Sequence, residues 1–304
     1  MEAAAAQSGC ACEITRLPEE LLSASIARAA PRDACRAAAV SPAFRAAADS
    51  DAVWARFLPR EVPPLADGEL SPAPPCKKAL FMRLCDSPVL LADGLTSMWL
   101  DRETGAKCYM LSARALCIIW GRGDTPQYWR WIPSPVPARF SEAAELLQVW
   151  WLEIRGKIDS KMLSPNSTYA AYIVFKVAPG AYGLDSPYPE TSVSLGGSKS
   201  TCHVCLDVSD RDDEDSWLTL RPRSRRLRPS SRRSYLEIPP PHVLLPQERA
   251  DGWMELEMGE FQNDEGEDGE VSISLMETST TIKIGLVVQG IEIRPKKKKR
   301  ALSL

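Results

Sequence analysis

The sequence predicts an α+β protein of two folded pieces, a small amino-terminal helical bundle followed by a larger antiparallel β-sandwich. Three observations predict it. Between Leu17 and Leu58 apolar side chains recur at helical spacing, after residue 76 the prevailing pattern alternates apolar and polar residues with period two, and residues 59–76 between them carry six prolines. A chain of 304 residues with 44% hydrophobic content can bury cores of this size, which excludes a wholly disordered protein.

Taken in order, residues 1–12 are too poor in apolar side chains to offset the entropy of ordering, so a disordered amino terminus is expected. The helical module spans 13–58. Leu17, Leu21, Leu22 and Ile26 fall at helical spacing, Ser41-Pro42 sets a capping hydroxyl before a proline at the first helical position, and Asp51 precedes Val53, Trp54, Phe57 and Leu58, which share one face. Alanine at 37–39 and 46–48 thins the core of this unit of three or four helices, so it gains stability from a partner. Residues 59–96 read as a proline-stiffened linker and a connecting segment.

The sandwich is expected over 97–295. Leu152, Ile154 and Ile158 alternate with Glu153, Arg155 and Lys157; Met254, Leu256 and Met258 alternate with Glu255 and Glu257; Val271, Ile273 and Leu275 alternate with Ser272 and Ser274. Tyr169 to Val177 is apolar on both sides and reads as a central strand. One short helix is expected after Ser141 as N-cap, with Glu142 in its first turn and Ala144, Leu146 and Leu147 turned inward. Residues 210–233, acidic and then arginine-rich, are expected to form a mobile insert, and 296–304 a basic tail.

Composition also bounds function. A net charge of -3 gives no overall field for nucleic acid or an anionic membrane, so neither partner is expected. No secretory leader and no apolar run of membrane-spanning length is found, and nine scattered cysteines suit a reducing compartment, so cytoplasm and nucleus are the expected locations. Cys202-His203-Val204-Cys205 has the spacing of half a zinc site, but with His203 and His242 the only histidines a closed set of four ligands is missing; no metal or cofactor is expected. No phosphate loop, nucleophile elbow or histidine-paired nucleophile appears, and the adjacent acids Glu267 and Asp268 cannot face a glycosidic bond from two sides, so a non-catalytic protein is expected. Lys296, Lys297, Lys298, Lys299 and Arg300 make a run that a nuclear-import receptor could read, or a plain frayed tail.

Two stretches resemble known families. Residues 14–58, with Leu17-Pro18 opening the first helix, the Val40-Ser41 step, Phe44-Arg45 and the closing Trp54 and Phe57, resemble an F-box. That resemblance implies docking to a Skp-type adaptor of a cullin ubiquitin ligase, with Leu17, Pro18, Leu21, Ile26, Phe44 and Trp54 as anchors; the alternative is that these six are the module's own core.

Residues 97–296 resemble the plant phloem lectins, the Nictaba-like family, through long runs such as ARFSEAAELLQVWWLEIRGKI (138–158), MLSPNSTYAAYIVFKV (162–177), DGWMELEMGEF (251–261) and GLVVQGIEIRPK (285–296). The resemblance implies a jelly-roll-like sandwich that binds N-acetylglucosamine-containing glycans or glycoproteins. Trp120, Tyr128 and Trp129 match sugar-contacting positions, and Phe261, Asn263 and Glu267 are placed beside them. The segment GRGDTPQ between Trp120 and Tyr128 is longer than expected, and core packing is the alternative for Trp120 and Trp129 and the expectation for Trp131, Trp150 and Trp151. The combined expectation is the substrate-recognition subunit of an SCF-type ubiquitin ligase. The alternatives are a protein-interaction receptor with a decayed sugar site, or a free defence lectin.

Overall fold

The structure is a computed structural model that describes residues 17–123, 125–134, 139–207, 242–264 and 268–296. Residues 1–12, the insert at 210–233 and the tail after 296 lie outside the described residues. The chain divides into two compact units between Tyr109 and Met110.

The first unit opens with four short helices, α1 (Glu19–Ile26), α2 (Pro31–Ala37), α3 (Pro42–Asp49) and α4 (Asp51–Phe57). Their boundaries follow local chemistry. Pro31 and Pro42 stand at first helical positions, the Ser41 hydroxyl accepts from Phe44 N at 3.2 Å, and α4 is capped by Ser50, which accepts from Ala52 N at 3.3 Å. Asp51, one residue inside, instead accepts from Lys77 N at 2.8 Å, the first residue of α5 (Lys77–Asp86). Trp54 is fully buried, donates its indole N–H to Ala48 O at 2.7 Å and packs on Phe81 of α5 with ring centroids 5.1 Å apart. The core of the four helices is therefore completed by a fifth that follows the prolines.

Residues 59–76 are not a free strap. Ala66 N donates to Leu90 O at 2.9 Å, Ala92 N donates to Pro64 O at 2.9 Å, and the Glu69 carbonyl accepts from Arg83 at 3.2 Å. The segment is thus tied to β1 (Val89–Leu90), which pairs antiparallel with β2 (Thr96–Leu100). Prolines remove donors, but the remaining backbone groups are enough to fasten it.

β3 (Lys107–Ser112) crosses into the second unit, where β4 (Cys117–Ile118), β5 (Trp129–Pro133), β6 (Glu142–Leu146), β7 (Leu152–Asp159), β8 (Ser167–Tyr182), β9 (Glu190–Leu195), β10 (Ser198–Val204), β11 (Val243–Leu244), β12 (Gln247–Glu248), β13 (Met254–Asn263), β14 (Glu270–Glu277) and β15 (Ile284–Pro295) follow. They form two mainly antiparallel sheets. In one, β15, β8, β13 and β12 lie side by side, with β6 and then β5 beyond β15. The other runs β11-β10-β9-β14-β7-β4, with only β10 and β11 parallel among its described pairs. The sheets face each other closely enough that a Cβ on Gly259 of β13 would meet Val193 of β9 at 3.1 Å.

The alternation read from the sequence places the core. Ile154 and Ile158, Val193 and Leu195, Val271, Ile273 and Leu275 are buried while their strand neighbours Lys157 and Ser272 are not. Each such apolar side chain contributes about 1.5–3 kcal/mol when removed from water. β8 lies between β15 and β13, as its two-sided apolar run requires, with Tyr169, Ala170, Ala171, Ile173, Val174 and Phe175 all buried. Gly290 is needed on β15 because a Cβ there would run into the Leu111 carbonyl oxygen.

The helix expected after Ser141 is instead strand β6. Ala144 pairs with Trp131 on one edge and Val288 on the other, and Ala143, Ala144 and Leu146 are buried. Ladder hydrogen bonds on both edges outweigh the weak helical preference of so short a segment. Among the described residues no helix is long and apolar enough to cross a membrane.

Candidate functional site

The helical cluster separates the six predicted adaptor anchors. Ile26 and Trp54 are buried in the cluster's own core. Pro18 is exposed, Phe44 is half-buried, and Leu17 and Leu21 are 41% and 53% exposed. Val40, between α2 and α3, is 65% exposed and lies outside the six anchors that the F-box resemblance implies. A hydrophobic residue just outside a helix carries no periodic signal, which is why spacing did not find it. Three aliphatic side chains of this module of four short helices, Leu17, Leu21 and Val40, are thus left in water.

In the sandwich, aromatic residues gather at one end of β7. Ile119 N donates to Glu153 O at 3.0 Å, continuing the β4–β7 pairing, and Trp120 then leaves the strand with φ of 64°. A bulky residue in the left-handed region costs on the order of 1 kcal/mol and marks a position that the surroundings over-determine. Here the Trp120 carbonyl accepts from Thr125 Oγ1 at 2.7 Å, and its ring, 48% exposed, lies 5.7 Å from the half-buried Tyr128 ring. The loop from 147 to 151 closes the same corner, with Leu147 N donating to Tyr128 O at 2.9 Å.

That loop corrects the expectation for its tryptophans. Trp150 and Trp151, expected in the core, are 48% and 49% exposed. The buried Lys283 donates to Trp150 O at 2.6 Å, and the Trp151 indole N–H donates to the buried Glu153 carboxylate at 2.7 Å. Lys283 is ion-paired with Glu277, and Glu153 with Arg155. Burial pulls the Lys283 amine down to about 8. Trp131 is half-buried, with its N–H on Gly121 O at 3.1 Å and the Arg114 guanidinium 3.6 Å above its ring. Arg114 forks onto Glu142 at 2.8 and 3.0 Å; that hydrogen bond, against a smaller effect of burial and helped by the Arg114 charge, holds the Glu142 carboxyl below the usual range. A cavity of about 510 Å³ opens here, lined among others by Arg114, Cys117, Gly121, Arg122 and Trp131.

The other predicted sugar contacts do not join this corner. Trp129 begins β5 opposite Leu146 and is buried. Phe261 is buried and stacked on Tyr169 with centroids 5.8 Å apart. Asn263 is buried too, donating to Ser164 O at 3.0 Å and Ser160 O at 3.4 Å, so it fastens the loop after β7. Trp120 neighbours the Glu153 end of β7 and Asn263 the Ser160 end, about 23 Å apart along an extended chain. Glu267 lies outside the described residues.

Cys202 and His203 lie on β10, and Cys205, just after it, donates its thiol to Asp207 O at 3.0 Å. No group of three or more metal-ligating side chains is found among the described residues. Lys296 is not part of a free basic run: its amine lies 2.7 Å from Glu257 and 2.6 Å from Glu260, and its N–H bonds Thr168 O at 2.9 Å, while Lys297, Lys298, Lys299 and Arg300 lie outside the described residues.

Comparison with known proteins decides the family. The model of the phloem protein 2 family matches residues 106–295, nearly the whole second unit. Three relatives from Arabidopsis thaliana extend the match across the helices: F-box protein PP2-B10 is 41% identical over 92% of this chain and 93% of its own length. Putative F-box protein PP2-B2 is 42% identical over 92% and 83%, and F-box protein PP2-B1 is 39% identical over 92% and 89%. The chain belongs to the F-box phloem protein 2 family. The relatives match 92% of the chain, so the family match takes in both the helical cluster and the sandwich.

Proposed function

We propose that this F-box phloem protein 2 chain is the substrate-recognition subunit of an SCF-type ubiquitin ligase, with the α1–α4 cluster docking a Skp-type adaptor and the sandwich binding glycoproteins through N-acetylglucosamine-containing glycans. The observation that carries the reading is the exposure of Leu17, Leu21 and Val40 on a cluster whose core residues Ile26 and Trp54 are fully used internally. Burying such aliphatic anchors in an adaptor groove would stabilise both the complex and a thin helical core. The chain itself supplies no chemistry in this reading. It holds a client near the conjugating enzyme and raises the local concentration of its lysines, in cytoplasm and nucleus.

Capture of a Skp-type adaptor by the full chain tests the first half. Leu17→Ala with Pro18→Ala is expected to abolish capture while the protein stays folded; capture that is indifferent to these changes overturns the docking assignment. A glycan array with Trp120→Ala as control tests the second half.

A second reading has its own support. With Trp129, Phe261 and Asn263 buried, the predicted sugar contacts left at the surface among the described residues are Trp120 and Tyr128. The same corner would then serve as a protein-interaction surface, and wild-type protein that engages clients yet binds no glycan would establish it.

A further inference from the structure

We propose that Cys35 and Cys85 form a reversible disulfide that staples α2 to α5 when the surroundings of the chain become oxidising. Both cysteines belong to the first unit, and the bond needs neither an adaptor nor a glycan.

Two ion pairs bring the helices that carry them to one turn. Arg32 of α2 reaches Glu103 at 3.4 Å, and Asp86 of α5 pairs with Arg102, the residue before it. That turn, between β2 and β3, is itself fastened: the Asp101 carboxylate accepts from Glu103 N at 3.1 Å and from Thr104 N at 2.9 Å. A cavity of about 270 Å³ lies among the three elements, lined among others by Cys35, Phe81, Met82 and Arg102. Cys85 follows Phe81 by four residues and Met82 by three, so it shares their face of α5 and stands beside Asp86. Cys35 follows Arg32 by three on α2, which sets both thiols on the side of the Arg102 turn. Cys76, at the opposite end of α5, has another task and caps the helix by accepting from Ala79 N at 3.4 Å.

Unlike exposure sets the order of events, because Cys35 is exposed and Cys85 half-buried. Burial pushes the Cys85 thiol up to about 11, against the opposing charge of Arg102, and Asp101 and the neighbouring Cys35 add to the rise. Cys35 therefore reacts first: its thiolate attacks glutathione disulfide, forms a bond to one glutathione and releases the other as a thiolate. That thiolate takes the Cys85 proton, and the Cys85 sulfur attacks the Cys35 sulfur. The second glutathione leaves as a thiolate and recovers the proton that Cys35 had given to water. Two protein thiols are thus oxidised to one disulfide, and one glutathione disulfide is reduced to two thiols. Reversal requires an outside thiol to reach the Cys35 sulfur and expel Cys85, a poor leaving group because it holds its proton so tightly, so the staple opens slowly. Once closed, it encloses α3 and α4 in a loop and constrains the unfolded first unit.

Full-length protein equilibrated with glutathione disulfide or with dithiothreitol, then alkylated, digested and mapped by mass spectrometry, tests this. After oxidation the peptides carrying Cys35 and Cys85 are expected to be joined. Thermal unfolding of the first unit, followed by a probe placed in it, should move up by about 10 °C and return on reduction. Cys85→Ser should leave glutathione on Cys35 and lose the rise, whereas Cys35→Ser should leave Cys85 unmodified. Oxidised and reduced wild type are compared directly, so the result stands even where a serine variant fails to fold. A wild type that keeps glutathione on Cys35 with Cys85 free, that links either cysteine to a third, or that joins the two with no change in midpoint overturns the staple.

Discussion

In the helical cluster, large apolar side chains are split between an inner set, Leu22, Ile26, Val53 and Trp54, and an outer set, Leu17, Leu21 and Val40, that remains in water. In the sandwich the aliphatic core is deep, and the exposed tryptophans among the described residues, Trp120, Trp150 and Trp151, all belong to the β4–β7 end. The difference lies in how each region keeps its exposed face in place. The cluster relies on short helices and one indole at its centre; the corner is fastened by buried ionisable groups and an outlying backbone conformation. A surface of the first kind is cheap to form and gains order from its partner, whereas one of the second kind is ordered beforehand and costs stability to build.

The largest expected effect breaks the cluster. Trp54→Ala removes its central ring, the indole bond to Ala48 and the contact with Phe81, and should destabilise the first unit by about 3–5 kcal/mol. Denaturant unfolding followed by probes in each unit should show that loss while the sandwich transition stays put; a shift shared by both would erase the contrast drawn above.

The next effect strikes the corner. Lys283→Met leaves Glu277 buried beside an apolar side chain and should cost the sandwich about 3 kcal/mol, comparable to breaking other buried pairs. Adding Glu277→Leu should return most of that loss. If the single and double variants are equally unstable, the pair is not what holds the loop, and the Trp150 carbonyl bond must be credited instead.

A smaller, pH-dependent effect is expected on the outer face of β13 and β15. Burial pushes the Glu255 carboxyl up, but the hydrogen bond from Arg294 and the charges of Arg294 and Arg249 outweigh it and hold the group below the usual range. Because the unfolded chain then binds the proton more tightly, this contribution is fully present above the ordinary glutamate pKa of about 4.3 and is lost as pH falls through the lower folded value. Glu255→Gln should cost about 1–2 kcal/mol near neutral pH and flatten the acid limb of the stability curve, measured by urea unfolding across pH.

How much of this the residues declared in advance depends on the range of the signal. Period-two alternation along β7, β13 and β14 was legible because each strand has one wet face, and β8 because it has none. The stretch after Ser141 misled because a strand paired on both edges owes its form to β5 and β15, which are distant or unpatterned in the chain. The site shows the same division. Trp120 and Tyr128 lie in one local run and share a corner, whereas Asn263 packs at the other end of β7 and Trp150 and Trp151 stand exposed. Their exposure is set by Lys283 and Glu153, partners that no spacing rule connects to them.

The smallest effect on stability tests the exposed helical face most sharply. Leu21 is half in water on α1, so Leu21→Ser removes an apolar surface without opening a cavity and should change unfolding free energy by less than about 0.5 kcal/mol. If the face is a docking surface, the same substitution should weaken adaptor capture at least tenfold, since a central anchor commonly carries more than about 1.4 kcal/mol of binding. Leu22, one residue along and buried, supplies the opposite pattern: Leu22→Ala should destabilise the unit by about 2–5 kcal/mol. Its effect on capture should then track the fraction of folded protein. Two neighbouring leucines that gave the same pairing of stability and binding would mean that α1 has no face reserved for a partner.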